Sequence, residues 1–534
     1  VFLLILDIIM TMFKRRSFLL VLLTMLTACA FGKSPDPNGK IVFALGGEIS
    51  IINPILSADS ASSAVEGPIF NGLTKINEKL EIIPDLAARW TVSKDGKVFT
   101  FYLRKDVLWH DGARFTAQDV KFTFDSILDP KVNSVRRSDY IIDGKPIEFN
   151  VVDKYTVQAV LPKPFAPFLA SAGMSILPMH VLKGKDINMS SFNQHPVGTG
   201  PFKFKEWVSG DHVSLIRNDK YYTGKPLLAE IIYKIIPDEN SRLIALEAGE
   251  IDESDVPARD IDRVKKLVKV SVFEYDALTY TYLGMNLASP IFSDKRIRQA
   301  LAYATDRKQL IALIFRGMAS PAYSPSSPVS WAYESDVSRY LFNRSRAERL
   351  LDNAGWNRRG DGIRQKNGKS LEFTILVNQG NKEREKAAVI LQWQYKKIGV
   401  KVNVRVMEWS AMLKILNANK DPKGFDAVII GWSLGIDPDQ YSIWHSSQYP
   451  AGLNFVKYRN PKIDRLLEGG RTTMSKEGRR QIYSQLQKII AADQPYIFLW
   501  YPKAISAVSS RVGGLSKPGP AGLFLNIEKV FVAK

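Results

Sequence analysis

Glu383 to Met407 reads EREKAAVILQWQYKKIGVKVNVRVM, with two different periodicities on either side of one glycine. Glu383 to Ile398 has the pattern of a helix, and Gly399 is a suitable residue to close it. Val400 to Met407 then alternates apolar and polar side chains over eight residues, the pattern of a half-buried strand. The same interleaving extends outward. Leu371 to Val377 reads as a strand before the helix, and Phe425 to Ile430 as a buried strand after it. Lys476 to Ala492 reads as a helix and Tyr496 to Trp500 as a strand. Upstream, Asp294 to Ile314 reads as one long helix with Ile297, Leu301 and Leu310 on its apolar side. Lys40 to Ala44, Val98 to Arg104, the FKFKEW run ending at Trp207, and Leu227 to Ile236 read as strands. Phe149 to Val160 gives two short strands around Asp153, and Thr116 to Asp119 loosely fits a capping box that opens a helix. Helices and strands alternate throughout and no fixed-period repeat occurs, so the class is α/β or α+β, and α/β is the expectation.

The chain has 534 residues, 45% hydrophobic and 24% charged, which excludes intrinsic disorder as the main state. Lys and Arg number 73 against 54 Asp and Glu, a formal charge of +19. Such a balance raises nucleic acid or another anionic polymer as a partner. However, the cations are spread along the chain among acids, with no zinc-finger spacing and no aromatic RNA-binding signature. The expectation is a generally basic surface and no nucleic-acid partner.

Cys29 is the one cysteine, so no intrachain disulfide can form. Ahead of it, Lys14-Arg15-Arg16 is followed by the apolar run SFLLVLLTM from Ser17 to Met25. Nine residues are too few to cross ~30 Å of hydrocarbon as a helix. A cationic flank, a short apolar run and small residues make a secretory signal. Leu26-Thr27-Ala28-Cys29 resembles the lipobox of bacterial lipoproteins, which implies cleavage before Cys29 and acylation of its thiol. Residues 1–28 are therefore read as a signal peptide, its start placed alternatively at Met10 or Met12, and residues 29–39 as a lipidated tether. Removal of the leader leaves a charge of +17, and no later stretch approaches 18 apolar residues.

Several segments, in order, resemble the family 5 extracellular solute-binding proteins of peptide and nickel ABC importers. They include Asn53-Pro54, Ile69 to Leu73 (IFNGL), Pro84 to Trp90 (PDLAARW), Leu103 to Asp106 (LRKD), Trp109 to Gly112 (WHDG) and Phe115 to Val120 (FTAQDV). Gly198 to Phe202 (GTGPF), Tyr221-Tyr222, Arg296 to Thr305 (RIRQALAYAT) and Asn454-Phe455 follow. The resemblance implies two lobes joined by a hinge, with ligand enclosed between them and a small extra domain in the first lobe. Mapped onto this chain, it places the first lobe at 40–75, 190–285 and 500–534, the extra domain at 76–189, and the second lobe at 286–499.

It also implies where ligand is held. Trp409 and Trp432 match tryptophans that line the cavity of oligopeptide-binding relatives, where an indole offers broad apolar contact and one donor. Tyr501 and Asp59 are weaker ligand candidates at the edges of predicted elements in the first lobe. Such relatives commonly carry an Asp three residues after the second tryptophan and can carry an Arg three before it. This chain has Gly435 and Ile429 there, and Asp437 is the acid that a shifted loop would bring to a peptide amine. His110-Asp111 could pair as acid and base, but Asp-Gly within WHDG reads as a turn. The five His show no metal-ligand spacing, and neither a nucleophile elbow nor a P-loop is present. The resulting expectation is a monomeric, lipid-anchored, non-enzymatic binding component that needs no cofactor. It would capture peptides outside the inner membrane for an ABC permease and its ATPases. Nickel chelates or oligosaccharides are the rival ligands, and a secreted hydrolase or an anionic-polymer binder the rival classes.

Overall fold

A computed structural model describes residues 34–57, 59–450 and 452–534. Cys29, the leader and the start of the tether lie outside the described residues. The main element is a mixed 12-stranded sheet. Along it run Phe202–Val208, His212–Arg217, Glu230–Ile235, Lys40–Leu45, Glu253–Asp255, Tyr496–Ser509, Thr279–Met285, Ala427–Ser433, Glu372–Asn378 and Lys401–Met407. Tyr496–Ser509 is the pivot of this order. Its residues 503–509 pair antiparallel with Val270–Asp276, and its residues 496–502 with Thr279–Met285 and Ala319–Pro321. One strand thus completes the sheets of both lobes. The sheet divides at Asp276–Thr279 and near Pro502. Thr279–Met285, expected in the first lobe, pairs instead with Ala427–Ser433 of the second.

Alternation of buried side chains explains the strands. Ile41, Phe43 and Leu45 point into the first-lobe core, and Lys40–Leu45 runs parallel to Glu230–Ile235. In the second lobe the two faces feed different cores. Phe373, Ile375 and Val377 pack with Leu391 and Tyr395 of helix Lys382–Lys397, whereas Leu376 packs with Tyr282, Trp444 and Tyr496 on the other face. Helix Lys382–Lys397 ends as expected, with Gly399 at φ +80.

A separate four-stranded antiparallel sheet, Ala87–Val92, Val98–Leu103, Thr156–Val160 and Glu148–Asp153, lies within the segment expected to be the small extra domain. Helix Ala117–Leu128 covers it, with Phe124 stacked on Phe149 at 3.8 Å. The capping box is present: the Asp119 carboxylate accepts the Thr116 backbone N–H at 2.9 Å. Two expectations need correcting. Asp294 to Ile314 is two helices, Lys295–Ala304 and Arg307–Phe315. Thr305 is extended and its hydroxyl bonds the Tyr395 hydroxyl, while Asp306 caps the second helix through the Gln309 N–H. The strand placed at Phe425 to Ile430 runs from Ala427 to Ser433, so Trp432 lies within it, opposite Tyr280.

Candidate binding cleft

Where strand Ala427–Ser433 ends, the chain continues as Leu434-Gly435-Ile436-Asp437 between the lobes. Three neighbouring chambers with shared wall residues follow this segment. The first, about 370 Å³, lies among Phe70, Asn71, Asp85, Tyr221 and Ile436. The second, about 380 Å³, lies among Leu80, Ile82, Trp331, Ile436, Asp437 and Arg479. The third, about 200 Å³, lies among Leu278, Ser330, Trp432, Gly435, Asp437 and Asp439. The first and second share Ile82, Ala170 and Ile436, and the second and third share Leu278, Ser330 and Asp437. The first two volumes alone fall within the ~300–1,000 Å³ of ordinary ligand sites.

Each chamber has its own chemistry. In the first, buried Asp85 accepts from the Tyr222 hydroxyl at 2.5 Å and from Asn71 Nδ2 at 3.1 Å, with Lys75 Nζ at 3.6 Å. Burial raises its pKa, and Lys75 opposes the shift. In the second, Lys476 and Arg479 lie over the Trp331 ring at 5.4 and 5.5 Å. In the third, Trp432 stacks on Phe455 at 5.5 Å and presents a half-buried face. The hinge also touches this chamber, because the Leu278 carbonyl accepts the Leu434 N–H at 2.7 Å.

Asp437 lines the cleft but is already neutralised. Arg479 Nη1 and Nη2 reach its two oxygens at 2.8 and 2.6 Å, a bidentate pair. Arg479 is almost fully buried and is fixed further by the Gly470 carbonyl at 2.9 Å. Burial lowers the guanidinium's pKa, but the Asp437 carboxylate outweighs this and raises it. A peptide ammonium entering at Asp437 would therefore meet a guanidinium on the same carboxylate. Asp439 is held likewise by Arg471 Nε at 2.8 Å.

Of the residues expected from sequence, Trp432 and Asp437 meet in one chamber. The other three line none of the chambers. Trp409 begins helix Trp409–Leu416 and is 42% exposed. Tyr501 is buried within Tyr496–Ser509, its hydroxyl donating to the Ser324 carbonyl at 3.1 Å. Asp59 caps helix Ser60–Ile69, accepting the Ser62 N–H at 2.7 Å and the Ser50 hydroxyl at 2.5 Å. Burial would raise its pKa, but the bonds from Ser50 and Ser62 lower it overall. His110 is structural: its ring bonds the Gly200 carbonyl at 3.0 Å, and Asp111 pairs with His180 instead. Among the described residues no group of three His, Cys, Asp or Glu side chains is placed to hold a metal. Trp331, Ile436 and Arg479 were not foreseen, because nothing local in their sequence marks a cleft.

Comparison with known proteins gives a consistent picture. The family model described as bacterial extracellular solute-binding proteins, family 5 Middle, matches residues 81–452. The oligopeptide-binding protein AppA of Bacillus subtilis is 38% identical over 97% of this chain and 98% of its own length. The structure of that protein with a nonapeptide covers 94% of this chain and all of its own, with a TM-score of 0.81. NikZ from Campylobacter jejuni in complex with Ni(L-His) is 31% identical, covers 93% of this chain and all of its own, and has a TM-score of 0.82.

Proposed function

Since the chain belongs to the family 5 bacterial extracellular solute-binding proteins, we propose that it captures oligopeptides and passes them to an ABC permease. Its work is binding and release, without chemistry on the ligand. The observation that carries the peptide reading is the run of three neighbouring chambers along Leu434 to Asp437. An extended chain advances ~3.3 Å per residue and alternates its side chains, so it suits separate chambers in series better than a compact solute does. Trp432 and Trp331 give sequence-tolerant apolar contact. Terminal-amine recognition at Asp437 is weak in this reading, because Arg479 occupies that carboxylate.

Native mass spectrometry of the purified protein tests the ligand class, and calorimetry with a synthetic nonapeptide and its N-acetylated form tests the termini. Peptide masses in the spectrum and affinities within about 10-fold of each other support the reading. Recovery of a nickel–histidine complex in place of peptide, with no heat from the nonapeptide, would overturn it. A loss of about 100-fold or more on acetylation, ~2.7 kcal/mol, would place the amine in a dedicated site.

The lipid anchor is a finer part of the same proposal and rests on Leu26-Thr27-Ala28-Cys29. Cells grown with a clickable fatty acid should label the wild-type protein and not Cys29→Ser. Equal labelling of both would remove the anchor from the reading.

A further inference from the structure

We propose that the end of the second lobe farthest from the cleft is a docking face for an anionic phospholipid surface. Summed over the whole chain the cations look dispersed, but their excess over acids falls in one continuous stretch. Residues 277–502, which carry the second lobe's sheet, hold 34 Lys and Arg against 19 Asp and Glu, a net +15. The remaining described regions, 34–276 and 503–534, hold 35 against 34. Nearly all the net charge of the folded protein therefore sits in one lobe. Within that lobe, residues 339–369 hold nine cations and three acids.

From residue 344 onward these residues form one contiguous tip. Buried Arg364 ties it together, bonding the Trp356 and Ile398 carbonyls at 2.6 and 2.8 Å and pairing with Asp352. Arg358 joins the tip from outside, reaching Glu348 Oε1 at 2.9 Å and the Lys397 carbonyl at 2.6 Å. Helix Arg344–Asn353, the hairpin strands Asn357–Arg358 and Arg364–Lys366, and the last turn of helix Lys382–Lys397 are thereby held together. Arg349, Arg359, Lys369 and Lys396 are exposed here and make no ion pair among the described residues. The tip adjoins Lys401, the first residue of Lys401–Met407, whereas the cleft lies at the last residue of Ala427–Ser433. Both strands run parallel to Glu372–Asn378 between them, so tip and cleft occupy opposite ends of the sheet.

The texture of the face favours lipid over a folded partner. Protein interfaces are depleted of charge at a packed apolar centre. Here the exposed cations are spread over three elements and line none of the three chambers. Trp393 beside them is 49% exposed, with Lys397 Nζ 3.1 Å from its ring centroid, and Phe342 in the same segment is 52% exposed. An ammonium beside an indole suits a headgroup layer, where phosphate meets the cation and the indole lies at the interface. Clustered Lys and Arg bind such surfaces with about five-fold in affinity for each side chain engaged.

The test uses residues 29–534 carrying Cys29→Ser, which retains the whole described fold and lacks both acyl site and leader. Sedimentation with phosphatidylglycerol-containing vesicles is compared with pure phosphatidylcholine vesicles over a salt series. Binding is expected to the anionic vesicles alone and to weaken as salt rises. The quadruple variant Arg349→Gln, Arg359→Gln, Lys369→Gln, Lys396→Gln should lose about 600-fold, about five-fold for each side chain. Neutralising Lys94, Lys131, Lys145 and Lys185 in the small domain should change binding by less than about five-fold, the share of a single engaged side chain. Peptide affinity of both variants reports that each is folded and leaves the cleft untouched. Absence of binding to anionic vesicles, or an equal loss in both quadruple variants, would overturn the proposal. So would tighter, second-lobe-dependent binding to duplex DNA, which would make the face a nucleic-acid site.

Discussion

Glu66 is the buried acid of helix Ser60–Ile69, its Oε2 accepting the Ser57 hydroxyl at 3.0 Å. Burial pushes its pKa up to about 7, with the Ser57 bond and the more distant Arg136 charge opposing. Because the folded state holds this proton more tightly than the unfolded chain does, stability falls as pH rises from 4.5 towards 7 and stays reduced above. Glu66→Gln should therefore stabilise the protein at pH 8 by ~3 kcal/mol and change little at pH 4. Urea unfolding at both pH values checks this, and an equal effect at each would contradict it. Asp437 makes the opposite case. Asp437→Asn leaves Arg479 buried without its carboxylate, and ~3–5 kcal/mol of stability should be lost, read as a lowered urea midpoint. The sequence marks Asp437 as interesting through its distance from Trp432, but not its partner. Arg479 lies 42 positions away and is brought there only by tertiary packing.

At the scale of elements, Phe165 and Ala166 touch the second lobe at Arg471, beside the cleft. The Ala166 N–H donates to the Arg471 carbonyl at 2.7 Å, and the Arg471 side chain lies over Tyr441 at 3.9 Å and near Phe165 at 5.4 Å. Arg471 also pairs with Asp439, which lines the third chamber, so one residue touches ligand wall and latch together. Arg471→Ala should speed peptide release by roughly 10- to 100-fold, the loss of ~1.4–2.7 kcal/mol from the closed form. Stopped-flow tryptophan fluorescence reads that rate, and an unchanged rate would remove the latch from the mechanism. Strand Lys401–Met407 was legible because alternation is a local signal. The break at Thr305-Asp306 was missed because Leu301 and Leu310 keep the helical rhythm on either side of it. Its own signal was present: Asp306 stands three residues before Gln309, the spacing of a capping box.

For the whole molecule, ligand held between lobes that meet at Asp276–Thr279 and Pro502 should favour the closed form, since closure is stabilised by contacts that only it makes. Small-angle scattering should give a smaller radius of gyration with saturating peptide than without, and equal radii would contradict hinge closure. The two-lobed architecture was legible from the ordered motifs, but the exact division was not. Thr279–Met285 follows Val270–Asp276 after two residues, and only pairing tells which lobe each joins. Charge segregation lies in one continuous stretch, residues 277–502, and is hidden only while the charge is summed over the whole chain. The strand Tyr496–Ser509 has a consequence for how the protein is made. It stands between the two lobes in the sheet, so neither lobe is finished until nearly the last residues of the chain have emerged from the ribosome. Val508 pairs with Ser271 and Glu253, so first-lobe pairing waits across more than two hundred residues of intervening synthesis. A nascent chain that cannot close its fold early stays threadable, and a translocation channel that passes only unfolded polypeptide would receive it before it locks.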